Sequence, residues 1–302
     1  MIVLDDADAR RLLQPAAAIS AVRESLIAHH AGALSAPARL HAALGAGDLI
    51  FTAGRLAGTC YGFRVYDTMP TTDGDQLTVV FDDGTGRVQG VVAGPFLGAA
   101  RTGAIGAVAV DVLACPDAGS LGLIGTGRQA FAQLWAIRAV RELRDVRVFG
   151  RDAERRDAFV SRARAELALP VTGSADPRDA VADADIVVLA TSSGTPVIES
   201  GWVRAGAHVN TLGRKDVAAH ECPVELAERA AVIITDSLAQ VDGYPRPFFL
   251  QGALRQRMGS LGGCVAGAGA SRARDRADQI TLFCSVGLAG TEVAVAAALL
   301  RG

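Results

Sequence analysis

Two regimes of apolar and polar patterning divide the chain. Over residues 15–31 the apolar positions Ile19, Val22, Leu26 and Ile27 recur at the spacing of one helix face, which predicts a helix. Short apolar runs follow at 39–44, 48–52, 61–68, 77–82 and 86–92, separated by Gly45-Ala46-Gly47, Asp73-Gly74 and Asp83-Gly84. Such runs between turn residues predict strands, the last two joined as a hairpin through Asp83-Gly84-Thr85. A stretch rich in Ala and Gly then predicts a helix from Pro95 to Leu113 with a close neighbour. Past Cys115-Pro116-Asp117-Ala118-Gly119 the pattern changes. Short, largely apolar strands are predicted at 121–124, at Val171, and at 146–149, 186–191, 207–212 and 231–235. Helical patterns lie between them, through Phe131, Leu134, Trp135, Val140 and Leu143, over 153–167 and over 176–184. Alternation of this kind predicts a doubly wound parallel sheet. Beyond Pro245-Arg246-Pro247 a helix is predicted over 248–258, a flexible glycine-rich loop over 259–269, and a long helical stretch over 278–300.

The first of these apolar strands ends in Gly125-Thr126-Gly127-Arg128-Gln129-Ala130, a G-x-G-x-x-A turn that opens a helix. Strand, glycine turn, helix and second strand within about thirty residues form the dinucleotide-binding context. Gly125 permits the tight turn, Gly127 lets the backbone approach a pyrophosphate, and Ala130 keeps the helix near the sheet. An NAD site usually carries an acidic residue after the second strand to hold the ribose 2′-hydroxyl. This chain carries Gly150-Arg151 there, with Arg155 and Arg156 one turn on, so NADP(H) is expected over NAD(H). Asp152, the acid nearest, reads as the cap of the following helix. The fold class is therefore α/β, a Rossmann domain over 114–275 and a second α/β domain over 1–113 with 276–302 returning to it.

Composition narrows the partners. Half of the 302 residues are apolar and the net charge is −2, so no basic surplus points to nucleic acid or an anionic membrane. Five scattered cysteines without a C-x-x-C suggest neither zinc nor a disulfide framework, and buried thiols in a reducing cytoplasm are expected. The N-terminus has no signal-peptide pattern. The apolar run 286–300 contains Glu292 and is too short to span a bilayer. Of 30 basic residues a single one, Lys215, is lysine. Unlike arginine, lysine can lose its proton when desolvated.

The first domain must supply the substrate site. Arg39, Arg64 and Arg101 stand out there, Arg64 lying inside the apolar strand Tyr61-Gly62-Phe63-Arg64-Val65-Tyr66. A charge in such a strand is costly unless paired. Two readings fit: an ion pair with Asp67 or Asp75, or a convergent set of arginines recognising a carboxylate. His220 is the histidine best placed for proton transfer, with pairing to Glu221 as its structural alternative. His41 near Arg39 is a cleft candidate, His29 and His30 read as surface residues, and His208 reads as a satisfied core residue.

Gly62-Phe63-Arg64-Val65 with Pro70, Arg101-Thr102-Gly103-Ala104, Leu123-Ile124-Gly125-Thr126-Gly127-Arg128-Gln129-Ala130 and Asp278-Gln279-Ile280-Thr281-Leu282-Phe283-Cys284-Ser285-Val286-Gly287 together resemble the ornithine cyclodeaminase/μ-crystallin family over nearly the whole chain. The resemblance implies a Rossmann domain, a substrate-binding domain that also forms a homodimer, and hydride exchange with Cα of an α-amino or α-imino acid. It implies that Arg39 and Arg101 grip the substrate carboxylate. Thr102, the 125–130 turn, Arg151, Ala190-Thr191-Ser192 and Leu212 would then contact the cofactor.

Two departures bear on the chemistry. The position of the family's catalytic lysine holds Arg64, which cannot readily give up a proton but can bind a carboxylate or polarise an imine. In the loop Leu212-Gly213-Arg214-Lys215-Asp216 the column of the cyclodeaminase aspartate holds Lys215, with Asp216 one residue late. Lys215 is thus a candidate proton donor, an anchor for an acidic substrate arm, or a solvent-facing loop residue. The expected activity is an NADP(H)-dependent imine reductase or amino-acid dehydrogenase, with Arg64, Lys215 and His220 as the catalytic candidates. An ammonia lyase using NAD(P)+ catalytically and a non-catalytic NADPH binder are the alternatives.

Overall fold

The computed structural model describes residues 1–69, 75–267 and 274–302. Pro70, the Asp73-Gly74 turn and the end of the 259–269 loop lie outside the described residues. In chain order the first part comprises β1 (Ile2–Leu4), α1 (Asp6–Leu12), α2 (Pro15–His30), β2 (Leu34–Ser35), β3 (Leu40–Ala43), β4 (Asp48–Leu56), β5 (Cys60–Asp67), β6 (Leu77–Asp82), β7 (Val88–Ala93) and α3 (Phe96–Leu113). The second comprises β8 (Ser120–Ile124), α4 (Arg128–Ile137), β9 (Asp145–Phe149), α5 (Ala153–Leu167), β10 (Val171–Ser174), α6 (Pro177–Val181), β11 (Ile186–Leu189), β12 (His208–Thr211), β13 (Lys215–Asp216) and β14 (Ala219–His220). It continues through α7 (Val224–Arg229), β15 (Val232–Thr235), α8 (Leu238–Asp242), α9 (Gly252–Gln256), β16 (Met258–Ser260), α10 (Leu261–Val265), β17 (Thr281–Cys284) and α11 (Thr291–Arg301).

A seven-stranded sheet runs β1-β7-β6-β5-β4-β2, with β3 also paired to β4; its hairpins are antiparallel, and β1 joins β7 in parallel. An eight-stranded sheet runs β10-β9-β8-β11-β12-β17-β15-β16, parallel throughout. Strand order reverses between β8 and β11. Ligands of open parallel sheets bind at the carboxyl end of such a switch point.

The end of the chain departs from the expected pattern. The stretch 278–300 is not one helix: β17 is a strand inside the parallel sheet, and only α11 is helical. All four β17 residues are buried, so its apolar run has no alternation to separate it from the apolar helix that follows. Residues 276–302 therefore divide between the sheets: β17 belongs to the parallel one, and α11 packs on β4, β5, β6 and β7. Over 248–258 the helix shrinks to α9, and the 259–269 loop contains the end of β16 and all of α10. Here Gly262 lets α10 approach α2, since a Cβ at that position would stand 2.5 Å from the Leu26 carbonyl. Val140 falls in a turn after α4, and Leu143 in the irregular segment before β9.

Helix α3 is the spine between the layers. It is long and apolar enough to cross a membrane, yet 78% of it is buried, against α2 and α4 among others. Its glycines allow that closeness: a Cβ at Gly103 would stand 2.2 Å from the Ala132 carbonyl of α4. Replacing Gly103 by Ala should therefore lower unfolding free energy by about 1–3 kcal/mol, the usual cost of overpacking. Urea denaturation measures this, and a midpoint equal to wild type would show that the α3–α4 contact yields easily.

Candidate active site

The carboxyl edge of the parallel sheet gathers the expected cofactor residues. Gly125 has φ +120°, and a Cβ there would lie 2.3 Å from the Ala190 carbonyl, so the β8 and β11 ends can meet only at glycine. At Gly127, chain neighbours aside, no atom of the described residues lies within 4 Å of where a Cβ would stand. Helix α4 starts directly after it without a side-chain cap, so the positive end of its dipole faces the turn. Ala130 is fully buried, as close helix–sheet packing requires. These features fit a dinucleotide pyrophosphate. Arg128 and Gln129 are exposed beside the turn, and Arg151 is exposed at the end of β9. Asp152 caps α5 by accepting from the Arg155 N–H at 3.0 Å. Arg156 turns away to the Ser174 carbonyl at 3.2 Å. Thr102 donates to Gly98 O of its own helix at 2.9 Å.

One carboxylate missed in the sequence ties this edge together. Buried Glu221 accepts from the N–H and the hydroxyl of Thr191 at 2.8 and 2.7 Å, from the Thr211 hydroxyl and the Leu212 N–H at 2.9 Å each, and from the Gly213 N–H. It thereby fixes the ends of β11 and β12, and with them Thr191 and Leu212. Ser192 follows as an exposed residue.

Lys215 is not a solvent-facing loop residue. It is 1% exposed, and its ammonium donates to the Gly213 carbonyl at 2.6 Å. Burial lowers its pKa below the ordinary lysine value, against the opposing pull of Glu221, Cys284 and Asp236. Those neighbours place it between the Glu221 clamp and the ends of β17 and β15. His220 faces Lys215 across the β13–β14 pair. Instead of pairing with Glu221, it is half-buried, stacks on Phe249 at 5.3 Å between ring centres, and lies 3.2 Å from Asp216 O.

The three arginines converge. Arg39 donates through Nη2 to the carbonyls of Val286 and Gly287 at 2.8 Å each. A Cβ at Gly287, where φ is +80°, would stand 2.6 Å from Arg39 Nη2 and 2.9 Å from Arg101 Nη1, so both guanidinium groups border one point. Arg101 Nη2 lies 3.6 Å from Glu292 Oε2, both side chains buried. Arg64, at 8% exposure, donates to Gln76 Oε1 and lies 4.3 Å over the Tyr66 ring. Gly98 makes room for it, since a Cβ there would meet its guanidinium at 2.5 Å. Burial, then Arg101, lowers the Arg64 pKa to about 10, which leaves it charged at neutral pH.

Glu292 was visible in the sequence only as an acid in an apolar run. It accepts from the Thr52 hydroxyl. Burial pushes its pKa up, but Arg101, Arg64 and Thr52 together bring it below the ordinary value. Asp236 was not singled out either. It is buried at the end of β15 and accepts from the N–H groups of Val286, Gly287 and Leu288 at 2.8, 2.8 and 3.1 Å. Elsewhere, His208 is a satisfied core residue, 2.8 Å from both Thr281 and Asn210, and burial pushes its pKa down to about 3. His41 pairs with Asp48 at an exposed position, His30 is exposed, and His29 is half-buried.

The model of the ornithine cyclodeaminase/mu-crystallin family matches residues 2–300. A Delta(1)-pyrroline-2-carboxylate reductase of Bacillus cereus is 32% identical over 228 residues, covering 73% of this chain and 68% of that protein. The structure of the iminosuccinate reductase of Paracoccus denitrificans in complex with NAD+ is similar at 25% identity and TM-score 0.85, covering 100% and 95% of the two chains. An archaeal alanine dehydrogenase dimer with bound NAD is similar at 25% identity and TM-score 0.86, also covering 100% and 95%. The alignment with the Sinorhizobium fredii "uncharacterized cyclodeaminase y4tK" spans about half of that protein, 52% of its length.

A lowered carboxylate pKa stabilises the fold above the unfolded-state pKa, and that contribution disappears as pH falls through the folded-state value. Glu292→Gln should therefore destabilise the protein by about 3–5 kcal/mol at neutral pH, as breaking a buried pair does. The deficit should shrink below about pH 4, the unfolded glutamate range. Denaturation curves across pH test this, and a deficit that stays constant into acid would refute the assignment.

Proposed function

This chain belongs to the ornithine cyclodeaminase/mu-crystallin family, and from that membership we propose an NAD(P)-dependent oxidoreductase that interconverts a small α-imino acid and the corresponding α-amino acid. One observation carries the reading: the glycine turn at 125–127, buried Lys215 and the arginine cluster are linked along one edge of the parallel sheet. The relatives' names, Delta(1)-pyrroline-2-carboxylate reductase, iminosuccinate reductase and alanine dehydrogenase, describe this same chemical interconversion.

When bound, the nicotinamide supplies or accepts the hydride at Cα. The chain's own residues do the rest. The 125–127 turn and the start of α4 hold the pyrophosphate. Thr102, Thr126, Arg128, Gln129 and the 190–192 and 212 strand ends line the remaining cofactor site, with Ala130 holding α4 against the sheet behind it. Arg39 and Arg101 hold the substrate carboxylate, and Arg64 orients the substrate and stabilises negative charge. Lys215 delivers a proton to nitrogen during reduction and recovers it during oxidation; its lowered pKa suits that exchange. His220, its partner across the hairpin, is the second candidate. Asp216 is ill placed for ornithine cyclisation, because its carboxylate accepts from the N–H groups of Ala218 and Ala219 at 3.0 Å each.

NADP(H) is the preferred cofactor in this reading, with Arg151 meeting the 2′-phosphate and no acid in the Gly150-Arg151 pair. The molecule acts as a homodimer, for which Leu40 and Leu77, exposed at 62% and 37% on the seven-stranded sheet, offer apolar surface. Five free cysteines suit a cytoplasmic setting.

Oxidation of NADPH and NADH followed at 340 nm, against pyrroline-2-carboxylate, piperideine-2-carboxylate and 2-oxo acids with ammonia, tests the reaction. NADPH should support turnover better than NADH, and Arg151→Ser should erase most of that preference. Tight NADPH binding with silence across the panel would overturn the reductase. Lys215→Met should lower kcat by about 10²- to 10⁴-fold, the range for losing a general acid, with little change in cofactor affinity. Undiminished kcat in that variant would move the proton donor to His220.

A further inference from the structure

Resting on the proposed imino-acid chemistry, we infer that the substrate is a dianion, a short α-imino or α-amino dicarboxylic acid. Three guanidinium groups meet at this site, and among the described residues the carboxylate facing them is Glu292 alone. Their other partners are neutral: the carbonyls of Val286 and Gly287 for Arg39, and Gln76 Oε1 and the Tyr66 ring for Arg64. Asp236, also buried, has its carboxylate occupied by three N–H groups of the 286–288 turn. Three guanidinium groups thus share one directly paired carboxylate, Glu292.

The donors are also incompletely used. Arg39 Nε and both Nε and Nη1 of Arg101 are buried without a hydrogen-bond partner among the described residues. Buried charged donors left unpaired are costly, so a site built this way is completed by the ligand. The α-carboxylate takes Arg39 and Arg101, which border a common point at Gly287. A second carboxylate meets Arg64, which lies beside Glu292 and Arg101 but reaches the site from β5 rather than from α3. Arginine at this position holds its charge throughout the working pH range and offers a planar fork that fits a carboxylate.

The test compares kcat/KM for imines formed in ammonia from oxaloacetate and 2-oxoglutarate with those from pyruvate and 2-oxobutyrate, and with pyrroline-2-carboxylate. The dianions should be favoured by about 100-fold or more. In Arg64→Gln that ratio should fall by about 10²-fold, the scale for truncating one partner of a buried charge pair, and Arg64→Lys should restore part of it. Monocarboxylates used as well as dicarboxylates, or a ratio unchanged in Arg64→Gln, would overturn the inference. Should Arg64→Gln fail to fold, the wild-type ratio alone decides. If no imine turns over, calorimetric titration of malate against lactate separates the two claims. Malate binding tighter by about tenfold or more would sustain the dianion site while the oxidoreductase reading fails. Equal binding of malate and lactate would overturn the dianion site.

Discussion

The Asp236 carboxylate accepts three consecutive backbone N–H groups, of Val286, Gly287 and Leu288, and the junction of the two sheets depends on it. The chain leaves β17 in the parallel sheet at Cys284 and enters α11 at Thr291 against the other sheet. A buried irregular crossing would strand its backbone polar groups. Asp236 satisfies three of the donors, and Arg39 satisfies the carbonyls of Val286 and Gly287 from the opposite side. One turn thus holds an anion on one face and a cation on the other. The positive φ of Gly287 also matters, because any side chain there would occupy the space of both Arg39 and Arg101. The turn that links the two sheets thus also holds Arg39 and borders Arg101.

Glu221 does the same work on the cofactor side. Five donors converge on its two oxygens, so the ends of β11 and β12 are held in one arrangement. Between these two anchored carboxylates Lys215 is enclosed, its ammonium donating to Gly213 O. A lysine in such a place is held back from its full charge by desolvation and supported by the nearby anions. Neither carboxylate is itself spare for proton transfer, since both are taken up by backbone and hydroxyl donors. That leaves the ammonium as the movable proton among them.

Much of this was legible in the sequence, for definite reasons. The glycine turn, Asp152 as a helix cap and the β6–β7 hairpin follow from local rules that bind few residues at short separation. Arg64 announced itself because a charge in an apolar strand demands a partner. What was not legible depends on long-range pairing. Strand β17 is buried on both faces and merges in sequence with the apolar helix after it. Glu221, Asp236 and Glu292 look like ordinary acids until the strands that end beside them are assembled. Lys215 stood out by rarity, but its burial could not be read from a polar loop. The partners that enclose it come from β15, β17 and the residue after β14.

Arg64 and Lys215 divide the labour of two cations by the chemistry of their head groups. Burial weakens both, yet the outcome differs. Guanidinium starts so basic that Arg64, lowered to about 10, still carries its charge at neutral pH. Ammonium starts lower, and the same desolvation brings Lys215 nearer to the range in which a proton can be passed. Exchanging the two residues would therefore not be neutral even with total charge conserved. A lysine at position 64 would put the labile proton beside two arginines, Arg39 and Arg101, and Glu292, while an arginine at 215 would fix a charge between Glu221 and Asp236. In the proposed reaction this arrangement keeps permanent charge where carboxylates are bound and exchangeable charge where nitrogen gains or loses a proton.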